Sequence, residues 1–200
     1  MCLLSRHTAE ATFLELFNLQ RNTTEWSLKF AAGTVISNLV DGHVAVIDPQ
    51  GALRLINTLT GRQSPTELVK PPVNCRHLVL RPCDTHWVIM TDNVDQRHDD
   101  EFPFMSSVQV NGAMYGIDRE SGKLTWTQPL DHQWIRVLNP QANSFPPVYP
   151  LLVLLRRPGI QAQIHATIFD MRTGNKVYES DSLGRVLTQH SILADPVTQK

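Results

Sequence analysis

Residues 112–126 read Gly-Ala-Met-Tyr-Gly-Ile-Asp-Arg-Glu-Ser-Gly-Lys-Leu-Thr-Trp, and they decide the fold because their central turn recurs along the chain. Each copy has an apolar strand, an Asn or Asp, three further residues, a Gly or Asn, and a second strand. The four copies are Asn18–Asn22, Asn57–Gly61, Asp118–Gly122 and Asp170–Gly174. This repetition predicts a repeat protein built from β-strands.

The first and fifth residues of the turn have separate physical roles. Asn or Asp at the first position bonds its side chain to the backbone two residues on and starts the turn. The fifth position requires a positive φ, which Gly adopts freely and Asn adopts next most readily. The first copy accordingly has Asn22 where the others have Gly61, Gly122 and Gly174. Such a loop joins two antiparallel strands by a type I turn and a bulge.

The residues around each turn keep the same register. A large apolar residue stands directly before every copy, namely Phe17, Ile56, Ile117 and Phe169. Eight residues after the first turn residue come Trp26, Pro65, Trp126 and Tyr178, so Pro65 alone breaks an aromatic pattern. A large residue repeated at one position of each unit predicts packing between neighbouring units.

The spacing of the copies indicates blades of a β-propeller, which take about 40–50 residues each. The longer intervals contain insertions at Asp92–Ser107 and Asn139–Pro150. We therefore predict an all-β partial propeller of about three to four antiparallel blades with four strands each. The expected limits are a half-blade at 8–30, blades at about 34–64, 76–128 and 134–180, and the start of a further blade at 185–200, with Gln189–Ala194 as its first strand.

The stretch from Gly112 to Trp126 resembles the repeat of the pyrroloquinoline-quinone (PQQ)-like propellers, also called quinoprotein-alcohol-dehydrogenase-like, which look WD40-like in outline. Residues 165–178 and 43–62 match the same repeat, and residues 12–26 fit by register. The resemblance implies a fold rather than an activity, because such repeats serve enzymes, assembly scaffolds and sensor domains. In the enzymes of this family the cofactor lies with calcium between a Trp and two adjacent cysteines. This chain has no adjacent cysteines, so we expect no cofactor.

Two other groups of side chains suggest metal chemistry. Cys75 and His77, followed by Cys83 and His86, supply zinc-type ligands, but their spacing is not one of the usual pairs. A small buried thiol beside surface histidines is the simpler interpretation. The acidic segment 92–101 has oxygen ligands suited to calcium, but it lacks the Asp-x-Asp-x-Asp-Gly order and is better explained as a solvated insertion. We therefore expect no metal site.

Composition and missing motifs exclude several functions. The chain has no Gly-x-Ser-x-Gly or His-Glu-x-x-His motif and no phosphate-binding glycine loop, so no catalytic residue is predicted. A net charge of −1 with 18% charged residues gives no basic face for nucleic acid. The longest apolar run, 150–155, is too short to span a bilayer, and no signal peptide is visible at Met1. Three cysteines suit a reducing compartment, cytoplasmic by default.

These observations predict a non-enzymatic module that contacts a protein partner or the rest of a longer propeller. Open first and last blades expose unpaired strand edges, which invite pairing with another chain and favour a homo-oligomer. The alternative is a fragment of a PQQ-dependent quinoprotein oxidoreductase.

Overall fold

The computed structural model describes residues 1–71, 74–93, 107–136, 150–156 and 163–183. These ranges contain strands and no helix, so no described helix is available to cross a membrane. The strands, numbered in chain order, are β1 Cys2–His7, β2 Ala11–Asn18, β3 Thr23–Ala31, β4 Val35–Ile36, β5 His43–Ile47, β6 Ala52–Asn57, β7 Glu67–Leu68, β8 Cys75–Pro82, β9 His86–Asn93, β10 Ser107–Asp118, β11 Leu124–Arg136, β12 Leu151–Arg156, β13 His165–Asp170 and β14 Lys176–Glu179.

The strands pair antiparallel with their neighbours in sequence and form three sheets. The first sheet has the order β1-β2-β3, the second β4-β5-β6-β7, and the third is a seven-stranded sheet running from β8 to β14. Short turns between consecutive strands produce this meander order, which is the construction of propeller blades. The predicted class, an all-β partial propeller of antiparallel blades, is confirmed.

The seven-stranded sheet joins two blades through β11. The sequence predicts separate strands at Leu124–Thr127 and Trp134–Leu138, whereas the structure has one strand, Leu124–Arg136. It pairs with β10 along its whole length, from Leu124 to Arg136, and its end also reaches β12 through the pair Trp134–Leu155. Irregular pairing between Val110 and Gly112 lets the long hairpin bend without ending, as β-bulges do. We call β1–β3 blade 1, β4–β7 blade 2, β8–β11 blade 3, and β12–β14 with the end of β11 blade 4.

The strand β1 is not predicted from the sequence, which places only residues 8–30 in the first blade. It is joined to β2 by a tight turn in which the backbone N–H of Thr8 donates to the carbonyl of Ala11 at 2.8 Å. Blade 1 therefore has three strands. The blade limits proposed from the sequence otherwise stay predictions, and Gln189–Ala194 lies outside the described residues.

The cores lie between the blades, because each blade is a sheet with neighbours on its faces. Leu14 and Phe30 of blade 1 pack on Val44 and Ile56 of blade 2. The opposite face of blade 2 packs on blade 3 through residues that include Ile47, Leu53, Leu80, Trp87 and Ile117. Blade 3 in turn packs on blade 4 through residues that include Met90, Met114, Leu152, Leu154 and Phe169. Two-sided burial explains why β6 and β10, the strands before the turns of blades 2 and 3, have apolar residues on both faces.

Candidate interaction surfaces

The predicted turn residues occupy the four turns that lead into the last strand of each blade, namely β3, β7, β11 and β14. The side-chain oxygen of Asn57 accepts hydrogen bonds from the backbone N–H groups of Leu59 and Thr60, both at 3.1 Å. Asn18, Asp118 and Asp170 accept equivalent bonds from backbone N–H groups two or three residues on. The fifth residues all have positive φ, with 53° at Asn22, 70° at Gly61, 69° at Gly122 and 72° at Gly174.

The tryptophans eight residues after the start of a turn pack on the turn of the following blade. Trp26 of blade 1 lies on Gly61 of blade 2, where an added Cβ would stand 2.9 Å from the indole. Its Nε1–H donates to the carbonyl of Thr58 at 3.2 Å. Trp126 of blade 3 lies on Gly174 of blade 4 in the same way, at 2.6 Å from such a Cβ. The Trp126 indole N–H donates to the carbonyl of Arg172 at 3.1 Å.

Pro65 has the same place in blade 2, although it departs from the aromatic pattern. Its Cδ lies 2.9 Å from where a Cβ on Gly122 of blade 3 would be. All three turn glycines are thus covered by the preceding blade at a distance that a side chain would not permit. Glycine is required at these positions for two reasons: the positive φ, and the close approach of a side chain from the preceding blade. The sequence predicts only the first of these two requirements.

A salt bridge adds a polar contact between blades 3 and 4. The guanidinium of Arg172 binds the carboxylate of Asp84 with two hydrogen bonds, one of them 3.0 Å long from Nε to Oδ1. The hydrogen bond from Arg172 lowers the pKa of Asp84 below its ordinary value. Asp84 follows β8 and Arg172 lies in the turn Asp170–Gly174, so the pair joins two loops. The pair was not predicted, because nothing in the sequence relates positions so far apart.

Between blades 2 and 3, a cation–π stack takes the place that the Asp84–Arg172 salt bridge has between blades 3 and 4. The guanidinium carbon of Arg119 lies 4.4 Å from the ring centre of Trp87. The ring of His43 in blade 2 packs on the same indole, with 4.7 Å between ring centres. Arg119 also donates to the carbonyl of Cys83 at 2.8 Å. The His43–Trp87 contact therefore joins blade 2 to blade 3, and the Arg119 contacts hold the indole in place within blade 3.

The inner edge of blade 1 is open among the described residues. In blades 2 and 3 the innermost strands are β4 and β8, but in blade 1 no described strand lies beyond β1. Thr8 pairs with Ala11 by a hydrogen bond, so the alternation of an antiparallel ladder directs the backbone groups of Leu3, Ser5 and His7 away from β2.

A cavity of about 390 Å³ lies beside this edge. Its lining includes Ser5 and His7 from β1, Thr34 and Ser37 around β4, and Arg76 from β8. The cavity is therefore lined mainly by polar residues from the first described strands of blades 1, 2 and 3 and their flanks.

The two outer faces of the stack differ in chemistry. On blade 1, Arg6 lies over the ring of Phe13 at 4.3 Å, with Lys29 on the same ring at 6.0 Å. Ser27 donates to Glu15 at 2.9 Å on that face. On blade 4 the register places apolar side chains on one face, namely Trp134, Val153, Leu155, Ala166, Ile168 and Tyr178. The blade 1 face is thus a polar surface, and the blade 4 face has the composition of a blade interface.

The zinc ligands considered from the sequence do not meet. Cys75 begins β8 and Cys83 follows its end, so seven strand residues lie between them and their backbone positions are about 25 Å apart. Burial raises the pKa of Cys75 to about 11 and also raises the pKa of Cys83, which keeps both thiols protonated. Within the described ranges no three His, Cys, Asp or Glu side chains are grouped to hold a metal ion.

The acidic segment is described only at its beginning. Asp92 and Asn93 end β9, while residues 94–106 lie outside the described residues. The Asp92 side chain is buried, and this burial raises the pKa of its carboxyl.

The comparisons with known proteins identify no family for this chain. No family model matches the chain, and no curated protein matches it. A solved structure titled "Structure of Dos1 propeller" matches with 12% identity and a TM-score of 0.42, over 88% of this chain and 44% of that one. The chain thus spans less than half of the structure it matches. The class defined by the strand order and the interblade packing is a partial β-propeller.

Proposed function

We propose that the chain is a propeller module of the PQQ-like repeat class that binds a protein partner by accepting an extended strand at β1. The observation that carries the proposal is the open inner edge of blade 1, in the position that β4 and β8 fill in the next two blades. An unpaired strand edge presents backbone donors and acceptors as a template for another strand.

The surroundings of the edge support strand addition. Most of β1 is exposed, from Leu4 to His7, so an incoming strand would displace water rather than protein. The adjoining cavity offers space for side chains at alternate positions of that strand. Arg76 brings a positive charge to the cavity wall and favours an acidic side chain there.

The test uses β1 of a second copy of the chain as the incoming strand. We expect light scattering to show concentration-dependent association of the full chain, with β1 edges pairing between copies. Ser5→Pro removes an outward N–H without breaking the β1–β2 ladder, because proline is tolerated at the solvent side of an edge strand. This variant should stay monomeric, whereas Ser5→Ala keeps the donor and should associate like the parent.

Two measurements decide the outcome. Amide hydrogen exchange at Leu3, Ser5 and His7 should slow on association of the parent protein. In Ser5→Pro, which has no N–H at position 5, exchange at Leu3 and His7 should stay fast. A parent protein that is monodisperse and monomeric at every concentration, with a single cooperative melting transition, would refute the proposal. Association that Ser5→Pro leaves unchanged would refute β1 as its site.

The oxidoreductase alternative has a separate test. PQQ and calcium added to the protein should leave its absorbance spectrum and melting temperature unchanged if the chain is a binding module. A saturable spectral change would restore the enzymatic interpretation.

A further inference from the structure

Tyr178 is the fourth member of the series that contains Trp26, Pro65 and Trp126. Each of these three packs on the left-handed glycine of the next blade. Tyr178 has the same position relative to its own turn, but its side chain is 53% exposed. It pairs with Ile168 across the sheet and therefore faces away from blade 3. Tyr178 thus occupies the position of an interblade contact without a blade to contact among the described residues.

The sheet around Tyr178 continues this pattern. Leu152, Leu154 and Phe169 face blade 3 and lie in the core between the blades. The alternate residues Val153 and Ile168 share the opposite face with Tyr178. Both are only partly buried. The same face also holds Leu155 and Ala166, which are buried in a small cluster with Ile164, so its accessible part is the part around Val153, Ile168 and Tyr178. Blade 4 therefore has two apolar faces, as blade 2 does, and among the described residues only one of them has a neighbouring blade.

A second copy of this chain does not fit that face. Its three turn glycines are already covered by Trp26, Pro65 and Trp126. The remaining turn ends at Asn22, whose Cβ prevents an aromatic ring from approaching as closely as it does on Gly61. The outer face of blade 1, with Arg6, Lys29 and Glu15, is also of the charged kind that caps the end of a repeat stack.

The residues that follow blade 4 do not supply the turn. From Gly184 to Lys200 there is a single glycine, Gly184, and the residue four positions before it is Ser180 rather than Asn or Asp. A turn with the required first and fifth residues is therefore absent from this segment.

We propose that the outer face of blade 4 is the docking surface for a partner blade of the same repeat class, and that Tyr178 packs on a left-handed glycine in that blade's turn. The partner presents an apolar sheet face to Val153 and Ile168, and a turn carbonyl within reach of the Tyr178 hydroxyl. This surface is independent of the β1 edge, which lies on another blade.

The experiment supplies such a blade from the protein itself. A second copy of residues 32–70 is joined after Lys200 of the full chain. This segment is chosen because one face of blade 2 already receives Trp26 on Gly61. Docking should raise the melting temperature by about 4–8 °C, as expected for burying one large side chain in a protein of this size. It should also protect Tyr178 from nitration, as read by mass spectrometry.

Variants at Tyr178 decide whether the face is the docking site. Tyr178→Ala should abolish the gain in the extended protein and change the parent little, whereas Tyr178→Trp should keep or increase the gain. An appended blade that leaves the melting temperature and the nitration of Tyr178 unchanged would overturn the inference. A gain of equal size in the Tyr178→Ala background would also overturn it.

Discussion

The turn at Asn22 and the turn at Gly174 have nearly the same backbone but different surroundings. The first has a φ of 53° and no described neighbour from a preceding blade, and the second has a φ of 72° and an indole lying on it. Asparagine satisfies the conformation, while only glycine satisfies the conformation together with the close contact. The fifth turn residue therefore indicates whether a neighbouring blade packs on the turn: it is glycine where one does and asparagine where none is described.

The largest expected effect separates these two turns. Gly174→Ala combines left-handed strain with a collision against Trp126, so we expect a loss of about 3–4 kcal/mol in the free energy of unfolding. Asn22→Ala has the strain without the collision and should cost about 1 kcal/mol. Urea unfolding measures both, with Asn22→Gly as the control that should change stability little. Equal losses at the two positions would show that the indole contact contributes nothing.

The next effect compares the residues that lie on the turns. Trp126→Ala removes a half-buried indole and its hydrogen bond to Arg172, and should cost about 2–3 kcal/mol. Tyr178→Ala should cost less than about 0.5 kcal/mol in the same chain, because its ring is exposed. Thermal unfolding of both variants checks the difference. A Tyr178→Ala loss as large as that of Trp126→Ala would mean that Tyr178 already has a packing partner.

The smallest effect concerns the Asp84–Arg172 pair between blades 3 and 4. The pKa of the Asp84 carboxyl is lowered in the folded state. The ion pair therefore stabilises the protein fully above the ordinary pKa of aspartate, and this stabilisation is lost as the pH falls through the lowered pKa. Both side chains are partly exposed, and the contribution should be below about 1 kcal/mol. Asp84→Asn should reduce the parent's loss of stability between neutral pH and pH of about 3. An unchanged pH profile would show that the Asp84–Arg172 pair does not contribute to the free energy of unfolding.

Short-range rules predict the turns well, because an Asx hydrogen bond and a positive φ depend on five neighbouring residues. They predict the class of fold for the same reason, since repeated turns at blade spacing leave few arrangements. They miss β1, because Cys2–His7 alternates weakly and gains its order by pairing with β2. They also separate one long strand, β11, because the bulge near His132 resembles a strand end.

Contacts between blades are less accessible from the sequence. Pro65 appears as an exception until the structure shows it on Gly122, where shape rather than aromatic character matters. Asp84 lies outside the repeated turns, and the other three turns have no arginine at the place of Arg172. The sequence does contain one usable signal, the change from glycine to Asn22, which separates covered turns from the uncovered one.

The most direct test of the central claim is a double-mutant cycle between Trp126 and Gly174, followed by urea unfolding. If the indole is the reason for glycine, Gly174→Ala should cost only the backbone strain, about 1–2 kcal/mol, once Trp126 has been replaced by alanine. The coupling between the two sites should then be about 2 kcal/mol, the difference between the two losses. If Gly174→Ala costs the same with and without the indole, the blades are not joined by this contact and the account is wrong.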